Sequence, residues 1–216
     1  SGEKGHLIGH FYVDLYPRDG KYGHAAAFTL KPAYIPYSED DTCNERSTPI
    51  STMVCNFTRP TKDKPSLLTF GEVETFFHEL GHIFHQLLSN NQFAMFSGTA
   101  VERDFVECPS QALENWCYEK DFLKRISSHY ITNESIPDEI IEKIKENKYL
   151  FNGLHYIRQL TLAQYDMKLH SSDEDVDVEA DYNKLQEQLS PLEHSPACLA
   201  ANFGHLMGGY ESGYYG

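Results

Sequence analysis

The stretch FFHELGHIFHQLL, Phe76 to Leu88, sets His78, Glu79, His82 and His85 within one apolar run. Its period is helical. Apolar residues at Val73, Phe76, Phe77, Leu80, Ile83, Phe84, Leu87 and Leu88 follow the i, i+3, i+4, i+7 spacing of a largely buried helix. In such a helix His78 and His82 lie about one turn apart on one face, so two imidazole nitrogens can reach one ion. Glu79 is rotated by about 100° from His78. That rotation puts its carboxylate beside an open coordination position rather than on the metal, where a general base can take a proton from water. Two imidazoles and a carboxylate left unpaired on so apolar a helix would cost about 1 to 3 kcal/mol each, which favours a functional origin for the spacing.

A catalytic zinc site needs a third protein ligand and leaves the fourth position to water. His85 is seven residues beyond His78, about 10 Å along the axis, which is too far to share an ion at ~2.1 Å. It reads as a core histidine or one that supports the site. Glu107, in RDFVECPSQ, is the best candidate, because an antiparallel helix or a return loop could carry it back to the pair; Asp104 competes with it. Asp104 or Gln111 could instead steady an imidazole N–H. Cys108, next to Glu107, reads as a small buried residue.

The elements that must position these groups fall into two regimes. In residues 1–70 the reading is extended. GHFYVDLY alternates apolar and polar positions, PRDGKYG supplies a turn and HAAAFTL follows, which together predict a β-hairpin. ISTMVCNF predicts a third strand, completing a small antiparallel sheet. In residues 71–216 the period is helical. PSQALENWCYEKDFLKRISSHY and PDEIIEKIKENK each open on proline, and YLFNGLHYIRQLTLAQYDMKLH is a further long helix. SSDEDVDVEA predicts an exposed acidic loop before DYNKLQEQL. The predicted class is α+β, predominantly α-helical, with a small N-terminal antiparallel β-sheet followed by a helical bundle, in one segment over 1–216.

Composition excludes several partners. The chain has 216 residues, 40% hydrophobic and 23% charged, with a formal net charge of −14. That charge repels nucleic acid, and no apolar run approaches the ~20 residues of a spanning helix, so neither nucleic acid nor membrane is expected. The five cysteines, Cys43, Cys55, Cys108, Cys117 and Cys198, are odd in number and contain no CxxC, which argues against a disulfide framework and for a reducing compartment.

The run HELGHIFHQLLSNNQFAMFSGTAVERDFVECPSQALENW resembles the metal-binding region of the M3 zinc oligopeptidases, within them the thimet oligopeptidase and neurolysin group. The resemblance extends from GHFYVDLYPRDGKYGHAAAF to FGHLMGGYESGYYG. It implies a zincin-type catalytic region in which His78, His82 and Glu107 bind one Zn2+ and Glu79 activates water. The implied activity is that of a cytoplasmic zinc metalloendopeptidase whose partners are short peptides. The family pattern GHLxGGYxxxYYGY places His205, Tyr210 and Tyr214 beside the substrate. A phenol O–H or an imidazole N–H suits an oxyanion that develops at a peptide carbonyl, and Gly208, Gly209 and Gly213 would let that loop close on the substrate. The same resemblance assigns substrate contact to the loop containing Gly98 and Thr99. It implies an N-terminal helical half walling a channel, and a further tyrosine beyond Gly216, neither of which is in this sequence. The alternative reading is therefore a zinc-binding segment that is catalytically incomplete without its channel-forming half.

Overall fold

The change of period at Gly71 is where strand gives way to helix. The computed structural model describes residues 5–37, 45–173, 175–193, 196 and 198–216; Cys43 lies outside them. Three strands, β1 (His10–Asp14), β2 (Ala26–Lys31) and β3 (Ile50–Val54), precede the α-helices α1 (Phe70–Leu88), α2 (Cys108–Glu114), α3 (Lys120–Ile126), α4 (Asp138–Lys148), α5 (Asn152–Ser171) and α6 (Val178–Leu189). This is an α+β arrangement in which helix predominates.

The sheet is mixed rather than antiparallel, and the predicted hairpin does not form. The strand order is β1-β3-β2. β3 runs parallel to β1, with His10 opposite Ile50 and Asp14 opposite Val54, and antiparallel to β2, with Ala26 opposite Val54. Burial explains the exchange. Ser51 and Met53 of β3 are fully buried, whereas Phe11, Tyr12 and Val13 of β1 and Phe28 and Leu30 of β2 are exposed, so the strand with most to bury takes the centre. Parallel neighbours need a connection of a dozen residues or more, and Leu15 to Pro49 supplies it. The turn residues serve this connection. The Lys21 ammonium, only 2% exposed, donates to the backbone carbonyls of Asp14 at 2.9 Å and Tyr16 at 2.7 Å and to that of Cys55 beyond β3.

Two compact units divide the chain, one comprising 1–102 with 106–142 and the other 103–105 with 143–216. In the first, α1 packs on the sheet through Met53, Cys55, Phe57, Ile83 and Leu87, with Leu15, Ala27, Phe76 and Leu80 against them. Both ends of α1 are satisfied. Thr69 and Glu72 form a reciprocal capping box at its start, and the Arg46 guanidinium donates to the carbonyls of Leu87 and Ser89 at its end. The predicted helix after Pro109 is broken into α2, a 3-10 turn over Asn115–Tyr118, and α3, because Glu119 is extended. Cys117 is buried in that turn and the Tyr118 hydroxyl donates to Glu74 of α1.

In the second unit, α5 and α6 share a core of Leu162, Tyr165 and Tyr182 with Phe203 and Leu206 from the tail. α6 begins inside the acidic stretch read as loop, because the Asp177 carboxylate caps the Ala180 N–H. The tail folds into 3-10 turns over Leu199–Ala201 and Gly204–Met207.

Candidate metal centre

α1 presents the His78 and His82 rings with centroids 4.9 Å apart. The third donor arrives from the start of α2, where Glu107 is the residue before the first helical turn. Its Oε2 lies 3.1 Å from Nε2 of His78 and 3.1 Å from Nε2 of His82. Two ligands each ~2.1 Å from a tetrahedral ion stand about 3.4 Å apart, so these contacts match the edges of such a coordination shell. Among the described residues this trio is the group of histidine, cysteine and acidic side chains whose donor atoms converge within 4.8 Å. Two neutral nitrogens and one carboxylate oxygen fit zinc.

Gly81 makes the approach of α2 possible. A Cβ there would meet the Ser110 Cα at 2.5 Å and the Pro109 carbonyl oxygen at 2.8 Å, so the helices touch backbone to backbone one residue before His82. Glycine inside a helix costs roughly 1 kcal/mol relative to alanine, and the close packing is what it permits. Ser110, fully buried, then donates its hydroxyl to Glu107 Oε2 at 2.8 Å and to the Glu107 carbonyl at 2.9 Å, fixing the carboxylate.

The far nitrogen of His78 is held by a residue that sequence reasoning missed. Nδ1 lies 2.7 Å from Oε1 of Glu114, which orients the ring with Nε2 toward the centre. The available signal was spacing, since Glu107 and Glu114 are seven apart and share a face of α2. Gln111 is exposed. Asp104 belongs to the second unit, where its carboxylate meets the Tyr215 hydroxyl at 3.5 Å. Burial works against protonating His78, yet Glu107 and Glu114 outweigh it and raise its pKa to about 10.

Glu79 is 5% exposed and its Oε2 has no hydrogen-bond partner. Burial raises its pKa, with His78 and His82 and the Ala27 backbone N–H of β2 pulling the other way. A buried carboxylate with one unpartnered oxygen beside a metal-competent trio is placed to accept a proton. His82 Nδ1 also lacks a partner. His85 is partly buried, and that burial lowers its pKa. It lines a cavity of about 520 Å³ with Gly81, Phe84, Leu88, Phe96 and Pro109. This cavity includes none of the converging donors, and the chemistry is better sought at the trio. Cys108 is exposed rather than buried, because the first turn of α2 turns Ser110 toward α1 instead.

The other predicted residues fall in two places. Gly98 adopts φ +60 against Gln86 of α1 and its N–H donates to Ser89 Oγ at 2.9 Å. Thr99 Oγ1 lies 3.4 Å from Gln86 Nε2, one turn of α1 past His82. In the second unit, His205, Tyr210 and Tyr214 pack together, with the His205 ring 5.7 Å from each tyrosine ring. Gly208 ends the 3-10 turn. Gly209 takes φ +96 with the Arg103 guanidinium where a Cβ would be, and that guanidinium lies 5.1 Å from the centre of the Tyr210 ring.

Paired imidazoles and carboxylates on two close-packed helices form a donor set suited to a hydrolytic metal. The chain belongs to Peptidase family M3, whose match covers residues 2–216. It is 44% identical to a thimet-like oligopeptidase of Dictyostelium discoideum over 97% of this chain and 31% of that protein. It is 42% identical to saccharolysin of Saccharomyces cerevisiae over 97% of this chain and 30% of that protein. Oligopeptidase A of Escherichia coli is 35% identical over 99% of this chain and 32% of that protein. The chain thus spans about 30% of the length of these relatives.

Proposed function

We propose that this chain is the metal-binding catalytic segment of a zinc-dependent, zincin-type oligopeptidase. The observation that carries the reading is the convergence of His78, His82 and Glu107, with buried Glu79 beside them, in a member of Peptidase family M3. His78, His82 and Glu107 would hold one Zn2+. When bound there, zinc supplies Lewis-acid chemistry, polarising a carbonyl and lowering the pKa of water.

The protein's own groups do the rest. Glu79 takes the proton from water as the oxygen attacks the peptide carbonyl carbon, then delivers that proton to the leaving amine as the C–N bond breaks. Glu114 keeps His78 turned and Ser110 keeps Glu107 turned. His205, Tyr210 and Tyr214 donate to the oxygen that becomes negative, a donor role worth about 2.7 to 4 kcal/mol in such sites. Gly208 and Gly209 give their loop room to close. Gly98, Thr99 and the edge strand β2 contact the peptide, β2 by pairing with its backbone.

Short peptides are the proposed substrates, in keeping with the name oligopeptidase carried by relatives. Among the described residues no helix is long and apolar enough to cross a membrane. Relatives bear both cytosolic and organellar names; we place this protein in the cytoplasm. The second reading is that of a zinc-binding segment without turnover on its own.

Zinc content and the cleavage rate of a quenched short peptide, measured in one preparation beside Glu79→Gln, separate these readings. Near-stoichiometric zinc in both proteins with a rate only in the unsubstituted one supports the mechanism. Zinc in both with no rate in either selects the incomplete segment. A rate retained in Glu79→Gln removes Glu79 from the role.

A further inference from the structure

The tail carrying His205, Tyr210 and Tyr214 is fastened by a residue that neither the motif nor the proposed mechanism uses. Asp166 of α5 is fully buried, and a carboxylate is rarely placed so deep without partners for both oxygens. Its Oδ1 accepts the Ser212 N–H at 2.9 Å and faces His170 Nδ1 at 2.8 Å, while its Oδ2 accepts the Tyr214 N–H at 3.1 Å. Ser212 adopts φ 61, a left-handed conformation unfavourable for a residue with a Cβ. The bond from its amide to the carboxylate helps hold that turn. The two clamped amides bracket Gly213, so the backbone leading into the Tyr214 side chain is fixed at both neighbouring positions.

α5 makes a second contact with the same residue. The Tyr214 hydroxyl donates to Gln159 Oε1 at 3.0 Å, and Gln159 is seven residues before Asp166, on the same face of the helix. The Tyr214 ring rests on Phe203, centroids 4.9 Å apart. Backbone, ring and hydroxyl are therefore each located by a separate partner, and Asp166 is the charged one.

We propose that Asp166 is a positioning residue for hydrolysis: its buried carboxylate, by clamping the Ser212 and Tyr214 amides, sets where the Tyr214 hydroxyl stands when its single proton turns from Gln159 to be donated to substrate. This rests on the catalytic reading of the tail given above. Asparagine at this position keeps one acceptor oxygen and turns an NH2 toward an amide N–H, so one clamp opens without a change of volume. A displacement of about 1 Å can cost on the order of 100-fold in rate.

The test is a kinetic cycle in the intact protein that carries this sequence, using Asp166→Asn, Tyr214→Phe and the double substitution on a short peptide. The expected result is a fall in kcat, with little change in KM, for each single substitution, and a double substitution no slower than Tyr214→Phe alone. Multiplying effects, or an unchanged kcat in Asp166→Asn while Tyr214→Phe is slow, overturn the positioning role and leave the tail reading standing. An unchanged kcat in Tyr214→Phe overturns the tail reading itself. Amide exchange in the unsubstituted protein guards against a variant that fails to fold. Slow exchange at Ser212 and Tyr214 is expected, and exchange as fast as at Glu211 would overturn the clamp.

Discussion

Glu114 decides how His78 meets its neighbours. An imidazole turns freely about its Cβ–Cγ bond unless its second nitrogen is bonded, and the 2.7 Å contact to Glu114 stops that rotation with Nε2 toward Glu107. Replacing Glu114 with glutamine should weaken zinc binding by about 10- to 100-fold while leaving helix content unchanged. Competition against a chelator of known affinity would read this directly. An affinity unchanged by the substitution would mean that packing alone orients the ring. The sequence motif contained His78, Glu79 and His82 in full view, because helical spacing is a local property. Glu114 was not visible in the same way, since nothing local says which carboxylate a distant helix will bring to a given nitrogen.

Helix α1 approaches α2 through Gly81, and that approach is what joins the two halves of the trio. A methyl group at Gly81 would sit 2.5 Å from the Ser110 Cα, a backbone atom that cannot rotate away. Alanine there is favoured for helix formation by roughly 1 kcal/mol, yet overpacking of this kind costs about 1 to 3 kcal/mol, and α2 must move. Gly81→Ala should therefore lower stability in denaturant melts and, more tellingly, weaken zinc binding by withdrawing Glu107. A variant that binds zinc with full affinity would show that α2 can shift without carrying Glu107 away. The strands teach a related lesson at this scale. Alternation identifies β1, the turn that follows it β2, and strand propensity β3, and chain order predicts β1 beside β2, but the buried Ser51–Met53 face of β3 claims the centre instead.

For the molecule as a whole, the proposed site should couple stability to pH and to metal. His78 has its pKa raised from the usual 6.5 to about 10, so its pairing stabilises the fold fully below about 6.5 and the contribution is lost as pH rises toward 10. Metal-free protein should melt progressively lower across that interval. Zinc removes the trend, because a ligated His78 is neutral, as it is in the unfolded chain above about 6.5. Zinc at about 1,000 times its Kd would add about 4.1 kcal/mol. Thermal melts at several pH values in that window should fall with pH without zinc and stay nearly level with it. Parallel slopes would sink the assignment of His78 as a ligand.

The sequence by itself determined the helical face bearing His78, Glu79 and His82, the change from strand to helix, and the family, because these depend on spacing along the chain and on residue identity. It also offered Glu107 as the third donor, with Asp104 left as a rival. Tertiary structure supplies contacts the sequence could not: α2 meets α1 backbone to backbone at Gly81 with Glu107 Oε2 at 3.1 Å from both histidines, and the Asp104 carboxylate meets the Tyr215 hydroxyl. It also decided the strand order, the Glu114 support of His78 and the burial of Asp166 under the tail. The physical reason is common to these cases. Each is a contact between residues far apart in sequence, selected by which apolar faces cover one another and which buried polar atoms then need partners.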